Sequence, residues 1–115
     1  MVLKKLNPYS MHPLVKALSK VSKKVPKVNK EQFPYPLVII HWEDITSHSQ
    51  WEEISEIKKS KTAICCSVGW LVESNKDTTV VMADYSFEQD HSIKEGGSYT
   101  AIPTKNIISI KQLST

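Results

Sequence analysis

Arginine is absent from this chain: all fifteen basic residues are lysines. Arginine presents a planar fork that grips a guanine edge or a phosphate with paired hydrogen bonds, whereas lysine is a flexible point charge. Any nucleic-acid contact made here is therefore expected to be weakly sequence-specific. Cysteine is almost absent too. The two present, Cys65 and Cys66, are neighbours. Adjacent residues cannot staple distant parts of a fold, so no disulfide framework is implied and a reducing compartment fits. No apolar run approaches the roughly 20 residues needed to cross a bilayer. The apolar residues near the N-terminus alternate with lysines and never build the continuous core of a secretory signal. The expectation is a soluble, cytoplasmic protein with no membrane span.

Chemical motifs are also missing. The chain contains no G-x-S-x-G, no P-loop and no G-x-G-x-x-G. His41, Glu43 and Asp44 lie close in sequence, but strand alternation sends His41 and Glu43 to one face and Asp44 to the other. A general acid and base need mutual reach that this spacing does not supply. The H-x-E string lacks the downstream Pro-Cys-x-x-Cys of zinc deaminases. Cys65, Cys66, His41, His48 and His91 are five candidate zinc ligands without C-x-x-C or H-x-x-x-H spacing, and a cysteine nucleophile paired with His91 has no signature either. The reading is no enzyme, no metal and no cofactor.

What the chain does have is segregated charge. Residues 1–36 carry eight lysines and one acid, a net charge of +7, while residues 37–115 carry seven lysines and eleven acids, a net charge of −4. Block charge is costly inside a packed fold and usually marks an extension that reaches for an anionic partner. We therefore divide the chain into a basic arm and linker, 1–36, and a small domain, 37–115. Within the arm, Leu14, Leu18, Val21 and Val25 form one helical stripe behind Pro13, so an amphipathic helix over about 13–25 is expected. The following Val25–Pro36 reads as an extended, proline-rich linker. The arm lysines, Lys4, Lys5, Lys16, Lys20, Lys23, Lys24, Lys27 and Lys30, are the candidate nucleic-acid contacts.

From Leu37 the pattern turns to β-rich apolar residues, Leu37-Val38-Ile39-Ile40-His41-Trp42. Ser49-Gln50-Trp51-Glu52 is a capping-box string, and Trp51, Ile54 and Ile57 share a face, so a short helix is expected after this first strand. Ala63 to Glu73 reads as a long strand bent or bulged at Gly69. Asn75-Lys76-Asp77 turns it into Thr78 to Asp84. A polar loop over Ser86 to Gly97, with Gly96-Gly97 as a turn, is expected before Ser98 to Ile102. Pro103 to Asn106 then makes one helical turn, and Ile107 to Leu113 is the last strand. Five short strands bury a core best by curling, so the expected fold is mainly β: a small five-stranded antiparallel barrel with one helix inserted after the first strand.

The strings Cys65-Cys66-Ser67-Val68-Gly69-Trp70-Leu71-Val72, Val80-Val81-Met82-Ala83, and Ile102-Pro103 with Ile107-Ile108-Ser109-Ile110 resemble a group of small proteins encoded by tailed bacteriophages. The segment His41-Trp42-Glu43-Asp44 with Trp51 is similar to one that those proteins carry upstream. At fold level the order of elements is similar to SH3-like and Sm-like barrels, which include the RNA-binding ring protein Hfq. The chain departs from the Sm-like pattern in placing a strand before its helix, in lacking that pattern's Asn after the bent strand, and in having no basic Tyr-Lys-His string near the end. The resemblance implies a phage accessory protein acting in the host cytoplasm or in the virion.

Most aromatic residues are expected in the core or between subunits, while Tyr85, Phe87 and Tyr99, near loops, are candidates for base stacking or an interface. The leading expectation is a non-enzymatic protein that forms a homo-oligomer or binds a partner, with its lysine arm on nucleic acid or another acidic surface. One alternative is a phage inhibitor of bacterial defence that sequesters a nucleotide signal or binds a host protein. The other is a virion-associated structural role.

Overall fold

The computed structural model describes residues 12–20 and 25–114. Runs rich in β-branched and aromatic residues pair as one antiparallel sheet: β1 (Leu37–Asp44), β2 (Ala63–Ser74), β3 (Thr78–Phe87), β4 (Ile93–Pro103) and β5 (Ile107–Gln112), in the order β4-β3-β2-β1-β5. Helices are few and short: α1 (Pro13–Lys20) and α2 (Ile54–Ile57), with a 3-10 turn at Thr104–Asn106. That turn carries the chain from β4 to the far side of β1. Asn106 donates its side-chain N–H to the Glu43 carbonyl at 3.1 Å, pinning the crossing.

The mainly β, five-stranded antiparallel expectation holds; the closed barrel does not form. Closure needs the outer strands to exchange hydrogen bonds along their length. Here β4 pairs with β3 and β5 with β1, and the sheet stays open between them. It is nevertheless curled. Val38 and Ile40 of β1, Val81 of β3 and Ile102 of β4 form one buried cluster, although β4 lies three strands away from β1. Trp42, Leu71 and Ile107 pack around it.

The β2–β3 hairpin turns at Asn75-Lys76-Asp77 as the composition predicts. The Asn75 side-chain carbonyl accepts the Asp77 and Thr78 amides, each at 2.9 Å. Beneath it a hydroxyl relay satisfies the fully buried Thr79. Thr104 donates to the Asn75 carbonyl at 2.7 Å, so its only proton is committed; Thr79 must donate to Thr104, and Ser74 to Thr79, both at 2.9 Å.

The irregularity in β2 falls at Leu71–Glu73, two residues beyond the glycine expected to cause it. Gly69 has a different task. A Cβ there would come 2.6 Å from the backbone oxygen of Met82 on β3, so only glycine lets the two strands approach. Gly69→Ala must push β3 away, and an unfolding free energy lower by about 1–3 kcal/mol is expected in urea titrations.

Three further expectations are corrected. The loop predicted over Ser86–Gly97 is mostly strand, because β3 runs to Phe87 and β4 begins at Ile93, leaving a tight connection in which His91 has φ 66°. Gly96 and Gly97 lie inside β4, opposite Tyr85 and Asp84, and a Cβ at Gly96 would land on the Met82 thioether. The capping box is not formed: Glu53, without a side-chain bond, precedes a single helical turn. Trp51, Ile54 and Ile57 find no face of the sheet to cover, and so short a helix gains little stability without tertiary packing. Finally, the linker is not simply extended. The Asn29 carbonyl accepts the Phe33 amide at 2.7 Å and its side chain accepts Glu31 N–H at 2.9 Å, closing a turn that directs Phe33 onto the sheet.

Candidate functional site

The turn at Asn29 seats Phe33 against the end of the sheet where β1 begins. Phe33 is 6% exposed, with ring centroids 4.6 Å from Tyr85, 4.9 Å from Tyr35 and 6.1 Å from Trp70. Trp70 and Tyr85 meet edge to face at 4.8 Å, and Phe87 continues the row at 5.7 Å from Tyr85. Edge-to-face pairs of this kind place the positive rim of one ring on the negative face of the next and stabilise beyond simple burial. Between this cluster and the ends of β1 and β5 lies an apolar cleft of about 520 Å³, whose walls include Tyr35, Leu37, Trp70, Tyr85 and Leu113. Lys30 stands at its edge, and Lys27 is exposed three residues earlier.

Two backbone hydrogen bonds close the floor of the cleft. Leu71 donates its amide to the Pro36 carbonyl and Leu113 to the Leu37 carbonyl, both at 2.8 Å. What the cleft offers a ligand is therefore aromatic surface with cationic charge nearby, a combination suited to a planar ring attached to, or followed by, negative charge.

Of the residues singled out in the sequence, Tyr85 and Phe87 belong to this row, whereas Tyr99 is exposed on β4 opposite Met82. Lys16 and Lys20 lie on α1, and Lys27 and Lys30 lie between α1 and Phe33. Lys4, Lys5, Lys23 and Lys24, with Val21 of the predicted stripe, fall outside the described residues. Leu14 and Leu18 of α1, and Val25 after it, are exposed, so the described part of the stripe does not dock on the sheet. Sequence reasoning missed Phe33, Tyr35 and Trp70 as a group. The alternation Phe33-Pro34-Tyr35-Pro36 was the available signal, since two large rings in a linker need somewhere to go.

On the other strands, His41 pairs with Cys66 and Trp42 with Cys65, so the cysteines take opposite faces, Cys66 exposed and Cys65 half-buried. Ser109 lies 3.4 Å from His41 Nδ1. Trp42 donates its indole N–H to Ser67 at 3.0 Å, and Glu43 accepts the Thr62 hydroxyl at 2.6 Å. Glu43 is thus engaged away from His41. Among the described residues no three His, Cys, Asp or Glu side chains converge as a metal site. In the β3–β4 connection, the Ser92 hydroxyl and amide bind Asp90 and hold its carboxyl below the ordinary range.

A second surface lies at the opposite end of β1. The segment from Ile45 to Thr62 leaves the sheet there, its base closed by the Thr46 hydroxyl donating to the Lys61 carbonyl at 2.8 Å. Trp51 at its tip is fully exposed, and Ile45, Ile54 and Ile57 are also in water. Glu52 and Glu53 follow Trp51 in sequence, and Glu56 pairs with Lys59 at 3.1 Å. Among the described residues no helix is long and apolar enough to cross a membrane. Comparison with protein-family models, with curated proteins and with solved structures finds no match to any of them.

Proposed function

We propose that this protein is a non-enzymatic binding module, a phage accessory protein of the host cytoplasm. Its curled, SH3-like β-domain self-associates, and its lysine-rich segment contacts nucleic acid without reading sequence. The observation that carries this reading is the anchoring of the lysine segment. Phe33 is buried three residues after Lys30, which holds cationic charge beside an aromatic cleft on a domain with more acids than lysines. An untethered basic tail would be drawn back across its own acidic domain; a tethered one presents its charge at a defined edge. Self-association is supported by the apolar surface left in water: Ile64 and Val68 on β2, Ile108 and Ile110 on β5, and the Trp51 segment. A small β-domain rarely leaves so much apolar surface in water without a partner to cover it.

Lysines that neutralise phosphates act by releasing counterions, so affinity falls with salt in proportion to the number of contacts. Titration of the full chain against labelled single-stranded oligonucleotides over a salt series should give a steep slope, equal for homopolymer and mixed sequences. The double substitution Lys23→Gln and Lys24→Gln should lower that slope by about 1.4, at roughly 0.7 per phosphate contact on a single strand. A flat salt dependence, or strong preference for one sequence, would sink the proposal.

A further inference from the structure

The cleft and the Trp51 segment are complementary, and they lie at opposite ends of the same strand. β1 carries Leu37 at the cleft and Asp44 at the root of the segment. At about 3.4 Å per residue these ends are roughly 24 Å apart. The root of the segment is tied to the far end by the Thr46 bond to Lys61 and the Thr62 bond to Glu43. Trp51 accordingly touches nothing in its own chain, and it is fully exposed.

The two surfaces match in chemistry. Within the segment, Glu52 and Glu53 directly follow Trp51, whereas Glu56 is paired with Lys59 at 3.1 Å and Lys58, Lys59 and Lys61 lie toward the return to β2. Lys30 lines the cleft and Lys27 precedes it by three residues, with Glu31 the acid on the same stretch. An indole bordered by carboxylates fits an aromatic cleft bordered by ammonium groups. Exposed tryptophan on a projecting tip is also the residue type that most often dominates an interface when seated in an aromatic pocket.

We propose that the Trp51 tip of one copy occupies the aromatic cleft of the next, with Glu52 and Glu53 facing Lys27 and Lys30. This rests on the reading of the protein as a self-associating module and names the contact. Because the two surfaces differ, the contact is heterologous: each copy has one free tip and one free cleft, and repetition yields a closed ring or an open filament. The lysines of the arm beyond the cleft stay available to nucleic acid.

Sedimentation velocity of the full chain over a concentration series tests it. The wild type should assemble with rising concentration. Trp51→Ala, which removes the tip, should weaken self-association by at least about 30-fold. Tyr35→Glu, which places a carboxylate on the cleft, should do the same. Both residues are exposed, and thermal melts of the two variants report whether each is folded. The decisive arm is the mixture. Trp51→Ala retains a cleft and Tyr35→Glu retains a tip, so together they should form a 1:1 dimer and stop there. Assembly that persists in Trp51→Ala, or a mixture that stays monomeric, overturns the contact while leaving self-association by another surface. A wild type that is monomeric throughout overturns both. Quenching of cleft tryptophan by an oligothymidylate, lost in Tyr35→Glu with assembly unchanged, would overturn it in favour of a nucleic-acid base as occupant.

Discussion

Phe33→Ala is expected to lower the unfolding free energy by about 3–5 kcal/mol, the range for deleting a buried phenylalanine side chain. The ring is 6% exposed and meets three other rings, so truncation loses the transfer energy, the edge contacts and the packing of Trp70 and Tyr85 together. Phe33→Leu should retain much of this. The larger consequence is local. Without Phe33 the Asn29 turn is no longer pinned to the sheet by a buried ring, so trypsin cleavage after Lys27 and Lys30 should accelerate under conditions where the sheet is still folded. Urea unfolding followed by circular dichroism, set beside the rate of tryptic cleavage, separates the two effects. A loss below about 0.5 kcal/mol, the size of an ordinary surface change, would remove the anchoring on which the proposed function rests.

Ile102→Ala should be comparably severe, at about 3 kcal/mol within the usual 2–5. Ile102 is 0% exposed and bridges β4 to Val38 and Ile40 across the curl of the sheet. Among the described residues few apolar side chains are fully buried, and small domains have little stability in reserve. The control is Ile110→Ala on β5, where the side chain is 45% exposed and a cost below about 1 kcal/mol is expected by area removed from water. The comparison reads the curl directly. Equal costs at the two positions would mean that Ile102 does not span it.

Local features were legible because local chemistry decides them. Leu37 as the start of β1, the Asn75 turn and the 3-10 turn after Pro103 all follow from residue type and short-range hydrogen bonding. The failures share one cause. Glu52 and Ser49 compose a good cap, but the helix they would start has no face to pack on, and a single turn results. Gly96-Gly97 has turn composition, yet strand pairing with β3 and the Met82 thioether claim it for β4. In the first case a distant contact was lacking, and in the second one outweighed a local preference.

The sequence by itself determined the charge division, the mainly β class, the number of strands and the β2–β3 hairpin, because alternation, turn residues and lysine counts are written within a few positions of one another. Only the tertiary structure decided that the sheet stays open, that Phe33 closes an aromatic cluster with Trp70 and Tyr85, and that the cleft and Trp51 sit at opposite ends of β1. Those outcomes depend on register and curl, which bring together residues 37 to 52 positions apart in the chain. Such contacts arise only when the whole sheet buries its apolar face at once.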